Sequence, residues 1–459
     1  MRVPGHQRSS YAWRWTAALA GLAVLALALV MAVVVSPAGR VEADTFTVNS
    51  TDDDPDINVG DGNCDVDGGT SGEQCTLRAA LEEANFTSGV ADTISFSITG
   101  AGPHTIIVTV AEGALPAITD DHLTINGGSE VVIIKPEAGA AWDPLLAIDA
   151  DDVSISNLIL DGDNQSMTGI IIVTNNDEAT ISDVEITDLA GVGIAADGNN
   201  DDNVVDDVFI HDNTLGGMLV NSGSDDNIIR NSNIEDNATI GGDGIYLLSG
   251  SGNQVSNNTI EDNGTGGGDD GITAVSQAEL TISGNTISDN ADNQISVSGS
   301  GTGVVTIRNN IIDVDSDGIE LDLGCACGDV VISGSSNAEA NRFSGPVDGV
   351  TEFYLENESG EEVDATHNDW AGDSDPEDKI CGTDGADDTT DCDENVVAGS
   401  DVDWDPVAPV GSGGPPTPTP TPVSRGDVNC DTVIDAVDAL FVLQCVVGLR
   451  SCEFQCPGS

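Results

Sequence analysis

The most regularly spaced residues able to do chemistry lie near the C-terminus, over residues 427–438. Oxygen-bearing side chains stand at positions 1, 3, 5, 9 and 12 of this segment, and a backbone carbonyl is available at position 7. The ligand set that this spacing gives is Asp427, Asn429, Asp431, Val433, Asp435 and Asp438. Hard oxygen ligands at these intervals wrap around Ca²⁺. The sequence therefore predicts a calcium-binding loop, with Ca²⁺ as the cofactor.

A second set of candidates is a column of aspartates in the middle of the chain. Asp243, Asp270 and Asp317 each precede a Gly-Ile pair. If Asp243 and Asp270 occupy neighbouring coils about 4.8 Å apart, their carboxylates can act as acid and as base or nucleophile in glycoside cleavage. The alternative is structural, because a tight turn also requires an Asp-Gly pair. These three aspartates are the predicted catalytic residues, and His211 is expected to be a solvated turn residue.

A repeat of 24–27 residues positions these aspartates between residue 177 and about residue 325. Each unit contains short runs of Val, Ile and Thr broken by Asn, Asp, Gly and Ser, with no apolar period of helix length. Units this small bury a core only by stacking, and strands without helices predict one coil of a parallel β-helix per unit. The first apolar column is Ile186, Ile210, Ile234, Ile260, Ile287 and Ile312, and a second column holds the Gly-Ile or Gly-Met pairs.

An asparagine column follows the isoleucine column by three residues, at Asn213, Asn237, Asn263 and Asn290. Stacked asparagines are expected to hydrogen-bond along the axis and to adopt left-handed backbone angles at a corner. With these columns, residues 93–406 resemble right-handed parallel β-helix proteins of the pectin-lyase-like superfamily. The resemblance implies an all-β, right-handed parallel β-helix with end caps. It selects no activity, because this fold hosts lyases, hydrolases, adhesins and coat proteins.

The N-terminal residues 1–43 predict export from the cytoplasm. Three arginines precede an apolar run over residues 17–35, and Val41-Glu42-Ala43 is the candidate cleavage site of a signal peptide. The run is also long enough to span a bilayer, so an uncleaved anchor is the alternative. Ten cysteines in an exported chain indicate disulfides. Cys64–Cys75 and Cys381–Cys392 are the predicted local pairs.

Residues 44–92 predict an N-terminal cap built around one helix. The apolar face of that helix consists of Leu77, Ala80, Leu81 and Ala84. Thr76 is its expected N-cap, and Glu82 and Glu83 are expected on the solvent side. Arg78 is expected in a salt bridge of the cap, with ligand binding as the alternative. With three substitutions, the segment resembles the Cys-Ser-Leu-Arg-Glu-Ala-Ile signature found before β-helices in bacterial surface proteins. Such a helix can cover the open end of the solenoid.

Three segments follow the β-helix, which is expected over residues 93–360. Residues 361–410 predict a C-terminal cap and resemble the Asn-Trp-Trp-Gly segment that ends many bacterial β-helices. Its Trp370 and Trp404 either close the last coil or stack on a sugar. Residues 411–425 are a Pro/Thr/Gly linker. Residues 426–459 resemble one type I dockerin repeat, which implies a small α-helical, EF-hand-like half and cohesin as a candidate partner, although a dockerin normally has two such repeats.

The charge of the chain restricts its partners. Twelve basic residues stand against 80 acidic ones, for a formal net charge of −68. Such a surface excludes nucleic acid, and it excludes anionic membranes apart from the N-terminal segment. We predict an extracellular or cell-surface protein that engages polysaccharide and carries a Ca²⁺-binding tail for attachment. The alternatives are a glycoside hydrolase or polysaccharide lyase that uses carboxylates on adjacent coils, and a passive surface-layer component.

Overall fold

The computed structural model describes most of the chain between residues 43 and 403. The described ranges are 43–87, 89–142, 144–165, 168–237, 242–301, 303–313, 318–321, 329–332, 340–344, 355–357, 363–366, 368–370, 380–381 and 402–403. Within them the chain forms a parallel β-solenoid with almost no helix, as predicted. Each regular coil places three short strands on three faces, which we call faces 1, 2 and 3.

The strands of each face pair in parallel with those of the coils before and after. Face 1 contains β1 (Thr45–Val48), β2 (Thr93–Phe96), β4 (Thr124–Asn126), β7 (Ser154–Asp161), β9 (Thr180–Thr187), β11 (Val204–Asp206), β14 (Ile228–Arg230), β17 (Asn253–Ser256), β20 (Leu280–Ser283), β23 (Val304–Arg308), β26 (Asp329–Val331), β29 (Val363–Asp364) and β32 (Val402–Asp403). Face 2 contains the second halves of β7 and β9 with β3 (His104–Val108), β5 (Val132–Pro136), β12 (Phe209–His211), β15 (Asn233–Glu235), β18 (Thr259–Glu261), β21 (Thr286–Ser288), β24 (Ile311–Asp313), β27 (Arg342–Ser344) and β30 (Asp369–Trp370). Face 3 contains β6 (Leu146–Ile148), β8 (Thr168–Ile172), β10 (Val192–Ala196), β13 (Gly216–Val220), β16 (Ile245–Leu248), β19 (Ile272–Val275), β22 (Ile295–Ser298), β25 (Ile319–Leu321), β28 (Leu355–Asn357) and β31 (Ile380–Cys381).

Both predicted apolar columns form the core. The isoleucine column from Ile186 to Ile312 pairs in register along face 2, and its side chains are buried. The second column does the same on face 3, where Ile295 also belongs to it, with Gln294 in the position that glycine occupies on the other coils. The repeat length therefore predicts the coil, and the columns predict which side chains point inward.

The glycines of the second column allow neighbouring coils to approach closely. A Cβ atom at Gly193 would lie 2.5 Å from Ile210 Cγ2 and 2.7 Å from the carbonyl oxygen of Gly217. Real Cβ atoms do not come this near to backbone, so a larger residue here would force the coils apart. The glycine column is thus a packing requirement between coils.

The asparagine ladder is confirmed, but the expected left-handed angles belong to other residues. Asn263 Oδ1 accepts hydrogen bonds from Asn237 N at 3.2 Å and from Asn237 Nδ2 at 3.0 Å, and the pattern repeats along the axis. The residues directly before the asparagines carry the positive φ angles, and they are Asp212, Asp236, Asp262 and Asp289, with φ of 54–56°. Aspartate tolerates this conformation, so at each corner the Asp makes the turn and the Asn forms hydrogen bonds with the next coil.

The predicted helix of the N-terminal cap is present as α1 (Leu77–Phe86). The Thr76 side chain accepts a hydrogen bond from Ala79 N at 3.0 Å, as an N-cap does. Arg78 Nε lies 3.0 Å from Asp53 Oδ1, which confirms the expected salt bridge. The predicted disulfide Cys64–Cys75 is also formed.

The solvent-side position expected for Glu83 is wrong. Glu83 is 1% exposed, and its carboxylate accepts hydrogen bonds from Gly60 N at 2.7 Å and Gly62 N at 3.1 Å. Glu82 likewise accepts one from Asp56 N. The acidic loop that follows β1 folds over this face of α1, so the two glutamates satisfy its backbone instead of facing water.

At the other end, Trp370 is 3% exposed and stacks on Phe343 with ring centroids 4.7 Å apart. This tryptophan belongs to the core, so its expected closing role is favoured over sugar stacking. The predictions for Trp404, the linker and the calcium loop concern positions outside the described residues, and so does Cys392, the predicted partner of Cys381. In the part of the chain that the structure describes, no helix has the length and apolarity needed to cross a membrane.

Candidate functional site

The structure brings Asp243 and Asp270 together at one edge of face 3, as predicted. Asp243 Oδ1 accepts a hydrogen bond from the backbone N–H of Asp270 at 2.8 Å. Each aspartate stands three residues before an outward-facing residue of its face 3 strand, so the pair borders the outer surface of that sheet. Asp317 lies outside the described residues.

Both carboxylate oxygens of Asp270 are engaged. Oδ1 accepts hydrogen bonds from Asn293 N at 3.0 Å and Asn293 Nδ2 at 3.1 Å. Oδ2 accepts one from Thr273 Oγ1 at 2.8 Å. Asp270 is only 5% exposed. Its carboxylate therefore fastens one coil to the next and is poorly placed to attack a substrate.

The column continues to Asn293, which the sequence argument missed. Asn293 occupies the position of the aspartates on the next coil, but Gln294 follows it instead of glycine. Its Nδ2 donates to Glu320 Oε2 at 2.6 Å, on the outer surface of face 3. The aspartate edge is thus connected by hydrogen bonds to a surface carboxylate.

Burial gives both aspartates higher pKa values than ordinary surface carboxyls have. Burial raises the pKa of Asp243 from its ordinary 3.8 to about 7, and the charge of Asp270 adds to the rise. Burial also raises the pKa of Asp270, while hydrogen bonds from Thr273 and Asn293 oppose the rise. Asp243 can therefore hold a proton near neutral pH, which is the property of a general acid.

The outward positions of face 3 form one continuous column beside this edge, which we call the tyrosine column. Strand register connects its members one coil at a time. They are Ile171, Ala195, Leu219, Tyr246, Thr273, Ser296 and Glu320. The column is apolar at one end, aromatic in the middle, and hydroxyl- and carboxylate-bearing at the other end. The described strands of face 3 contain no Lys, Arg or His.

A second cluster, on face 2, surrounds His211. The imidazole stacks on Phe209 with ring centroids 4.0 Å apart and is 17% exposed. Its Nδ1 lies 2.7 Å from Asp212 Oδ2, and its Nε2 lies 3.5 Å from Glu185 Oε1. Burial works against protonation, but these two carboxylates outweigh it and raise the pKa of His211. The expected solvated turn histidine is therefore wrong, because the coil before and the corner after enclose the ring.

Two glutamates continue the His211 column. Glu235 and then Glu261 are its register partners on the next two coils. Burial raises the pKa of Glu261, and the charge and hydrogen bond of Glu235 raise it further. Counting one residue past each column isoleucine would have found this row. Within the described ranges, no group of three or more His, Cys, Asp or Glu side chains is arranged to hold a metal ion.

Comparison with known families agrees with the coil geometry. Residues 168–345 match the family described as the right handed beta helix region. No match is found among curated proteins.

Several solved structures share the architecture at low identity. An alginate lyase from Paenibacillus sp. str. FPU-7 is 17% identical, with 59% of this chain and 91% of that chain covered and a TM-score of 0.41. The A-module of a mannuronan C-5 epimerase from Azotobacter vinelandii is 16% identical, with 68% and 92% covered and a TM-score of 0.46. A pectate lyase is 12% identical, with 66% and 75% covered and a TM-score of 0.40. The parallel strand pairing and the family match, not these likenesses, show that the chain folds as a right-handed parallel β-helix.

Proposed function

We propose that this protein is secreted or surface-located and binds extracellular polysaccharide along the tyrosine column of face 3. The observation that carries the proposal is the continuity of that column. It places an aromatic ring, two largely buried hydroxyls and a carboxylate in register on successive coils. An extended glycan has the matching shape, since it is a linear chain that can lie along the solenoid axis.

The side chains of the column supply both kinds of contact that sugars use. Tyr246 is partly exposed and offers a ring against which the C–H face of a pyranose can stack. Thr273 and Ser296 are largely buried, at 9% and 8% exposed, and Thr273 Oγ1 already donates to Asp270 Oδ2, so its remaining capacity is to accept. Glu320 is partly exposed and accepts from sugar hydroxyls. Asp270 accepts a hydrogen bond from Thr273 Oγ1 and Asn293 donates one to Glu320, so these two side chains are already held in place and lose little freedom on binding.

Charge narrows the class of polysaccharide. The column contains Glu320 and is bordered by Asp243 and Asp270, and the described strands of face 3 carry no basic side chain. A polyuronate would bring its own carboxylates against this edge and be repelled. The ligand class is therefore a neutral polysaccharide or one that contains amino sugars.

Replacing Tyr246 with alanine tests the proposal. We expect Tyr246→Ala to weaken binding of a neutral glycan roughly ten- to hundredfold, because burying such a side chain contributes about 1.5–3 kcal/mol. Tyr246→Phe should retain most of the affinity. Isothermal titration with neutral, amino-sugar and uronate oligosaccharides measures this. The matched control is Ile311→Ala, which removes a 43% exposed apolar side chain from face 2. Equal affinities in the Tyr246 and Ile311 variants would contradict the proposal.

A second candidate, glycoside hydrolysis, is favoured by one observation, the pKa of about 7 at Asp243. A protonated Asp243 can donate to a glycosidic oxygen, so activity should be present below pH 7 and fall as the pH rises through that value. Release of new reducing ends from a glycan panel measures it. Asp243→Asn should abolish release while leaving glycan binding intact. If the wild-type protein binds glycan but releases no new reducing ends from any member of the panel, Asp243 is a structural residue.

We also propose that residues 427–438 bind Ca²⁺ and that the tail they begin attaches the protein to another surface. This part of the proposal rests on ligand spacing alone. Equilibrium dialysis of the full chain against Ca²⁺ tests it, with Asp427→Ala as the variant. Equal calcium binding by the two proteins would remove the loop from the proposal.

A further inference from the structure

The backbone nitrogen of Asp44 points at a buried carboxylate at the start of the fold. Asp44 N donates to Asp92 Oδ1 at 2.7 Å. The carbonyl oxygen of the same residue accepts a hydrogen bond from Thr93 N at 2.9 Å, in the first coil of face 1. Asp44 is therefore held on both sides, and its nitrogen has a fixed position.

The carboxylate that accepts this hydrogen bond, that of Asp92, is one of two buried carboxyls at this site. Asp92 and Asp120 are both 0% exposed. Asp92 Oδ2 accepts from Thr87 Oγ1 at 2.8 Å, and Asp120 Oδ1 accepts from Gly89 N at 2.8 Å. Asp120 Oδ2 has no hydrogen-bond partner of good geometry, although the backbone N–H of Val90 is close enough to lower the pKa of this carboxyl. A buried carboxylate oxygen that is this poorly paired is costly, so a further donor would stabilise the site.

The site also lacks a positive charge. None of the ion pairs in the described part of the chain involves Asp92 or Asp120. The neighbouring His122 is held outward by Asp152, with Nδ1 and Oδ2 2.7 Å apart. Burial, with the charges of Asp92 and Asp121 adding to it, raises the pKa of Asp120 to about 6. The two carboxyls are therefore close enough for the charge of one to affect the other, and their hydrogen-bond donors are amide and hydroxyl groups.

The sequence places a cleavage signal directly before this nitrogen. Val41 and Ala43 stand at the third and first positions before the Ala43–Asp44 bond, as small residues do before a signal-peptidase cut. Ala43 is exposed, whereas β1 begins at Thr45 and is locked into the sheet. A cut at this bond therefore leaves the folded sheet intact and changes only the group at Asp44.

We propose that signal-peptidase cleavage between Ala43 and Asp44 creates an ion pair at the start of the fold, in which the new α-ammonium of the partly exposed Asp44 binds the buried carboxylate of Asp92. Hydrolysis adds one water across the amide bond, leaving a carboxylate on Ala43 and an ammonium on Asp44. The nitrogen then has three N–H donors and a full positive charge in place of one neutral N–H. Processing thereby completes the N-terminal cap, and the mature chain is more stable than its precursor.

The test compares chains that differ only at this nitrogen. One is residues 44–459 released from a removable fusion with Asp44 as its first residue, and the other carries a Gly-Ser-Ala extension before Asp44. We expect the free ammonium to raise the midpoint of thermal unfolding by several degrees. Asp92→Asn should abolish that difference, whereas Asp54→Asn, which changes an exposed aspartate of the same cap, should preserve it.

Two further readouts decide the proposal independently of variant stability. The α-amino group of the folded mature chain should react with an acylating reagent at least tenfold more slowly than in the urea-unfolded chain. The mass of the secreted protein should place its first residue at Asp44. Equal unfolding midpoints, a difference that survives Asp92→Asn, an unprotected α-amino group or a different first residue would each overturn the proposal.

Discussion

Asn263→Leu is expected to destabilise the protein by about 3 kcal/mol or more, since several buried polar groups lose their partner and each costs about 1–3 kcal/mol. Asn263 is 0% exposed. Its Oδ1 accepts from the backbone and side chain of Asn237, and its Nδ2 donates to Ile234 O at 2.9 Å and Asn290 Oδ1 at 3.0 Å. Leucine has similar volume but can satisfy none of these groups.

The midpoint of urea unfolding, followed by circular dichroism, measures this effect. Gln254→Ala is the matched control, because it removes an amide side chain from an exposed position of β17. We expect the control to shift the midpoint little. If the two variants unfold at the same urea concentration, the buried amide of the ladder contributes no more to stability than an exposed amide does. The coils are then held by their apolar columns alone.

Sequence periodicity was sufficient to predict the fold because every coil repeats the same inward positions. It was insufficient to assign roles at the corner between Asp262 and Asn263. Both residue types tolerate positive φ and both form hydrogen bonds, so composition cannot say which turns and which binds. The structure separates them, since Asp262 has φ of 54° and Asn263 is buried in the ladder.

The use of aspartate as the turning residue at corners explains part of the acidity of the chain. Aspartates with positive φ recur at coil corners, where a short polar side chain is required and water is close. They include Asp152, Asp183, Asp188, Asp202, Asp207, Asp212, Asp226, Asp236, Asp262 and Asp289. A chain with many coils therefore accumulates negative charge for conformational reasons as well as for solubility.

The candidate site was predictable only where the repeat is strict. Asp243 and Asp270 were found because each precedes a Gly-Ile pair, and Asn293 was missed because Gln294 follows it. The burial of His211 was missed for a different reason. The row itself can be counted from the isoleucine column, but the ring is enclosed by Phe209 from its own strand and by Glu185 from the preceding coil, and residue spacing does not give such side-chain contacts.

Arg78→Met is expected to destabilise the N-terminal cap by about 3–5 kcal/mol, the usual effect of leaving a buried charge without its partner. The guanidinium is 5% exposed. It binds both carboxylate oxygens of Asp53 and donates to the carbonyl oxygens of Gly113 at 2.7 Å and Ala114 at 2.7 Å. Methionine fills the volume but leaves the Asp53 carboxylate buried beside an apolar group.

The matched control is Arg230→Met, which breaks an ion pair of similar length. Arg230 Nη2 lies 2.8 Å from Asp206 Oδ2, but its side chain is 43% exposed, so we expect a loss of about 1 kcal/mol or less. Urea unfolding and amide hydrogen exchange in α1 measure both variants. Faster exchange in α1 for Arg78→Met alone would mean that this one residue fastens the helix to the first coils. Equal losses of stability in the two variants would contradict that role. Burial would then make no difference to what an arginine contributes, and the helix would be held by its apolar face.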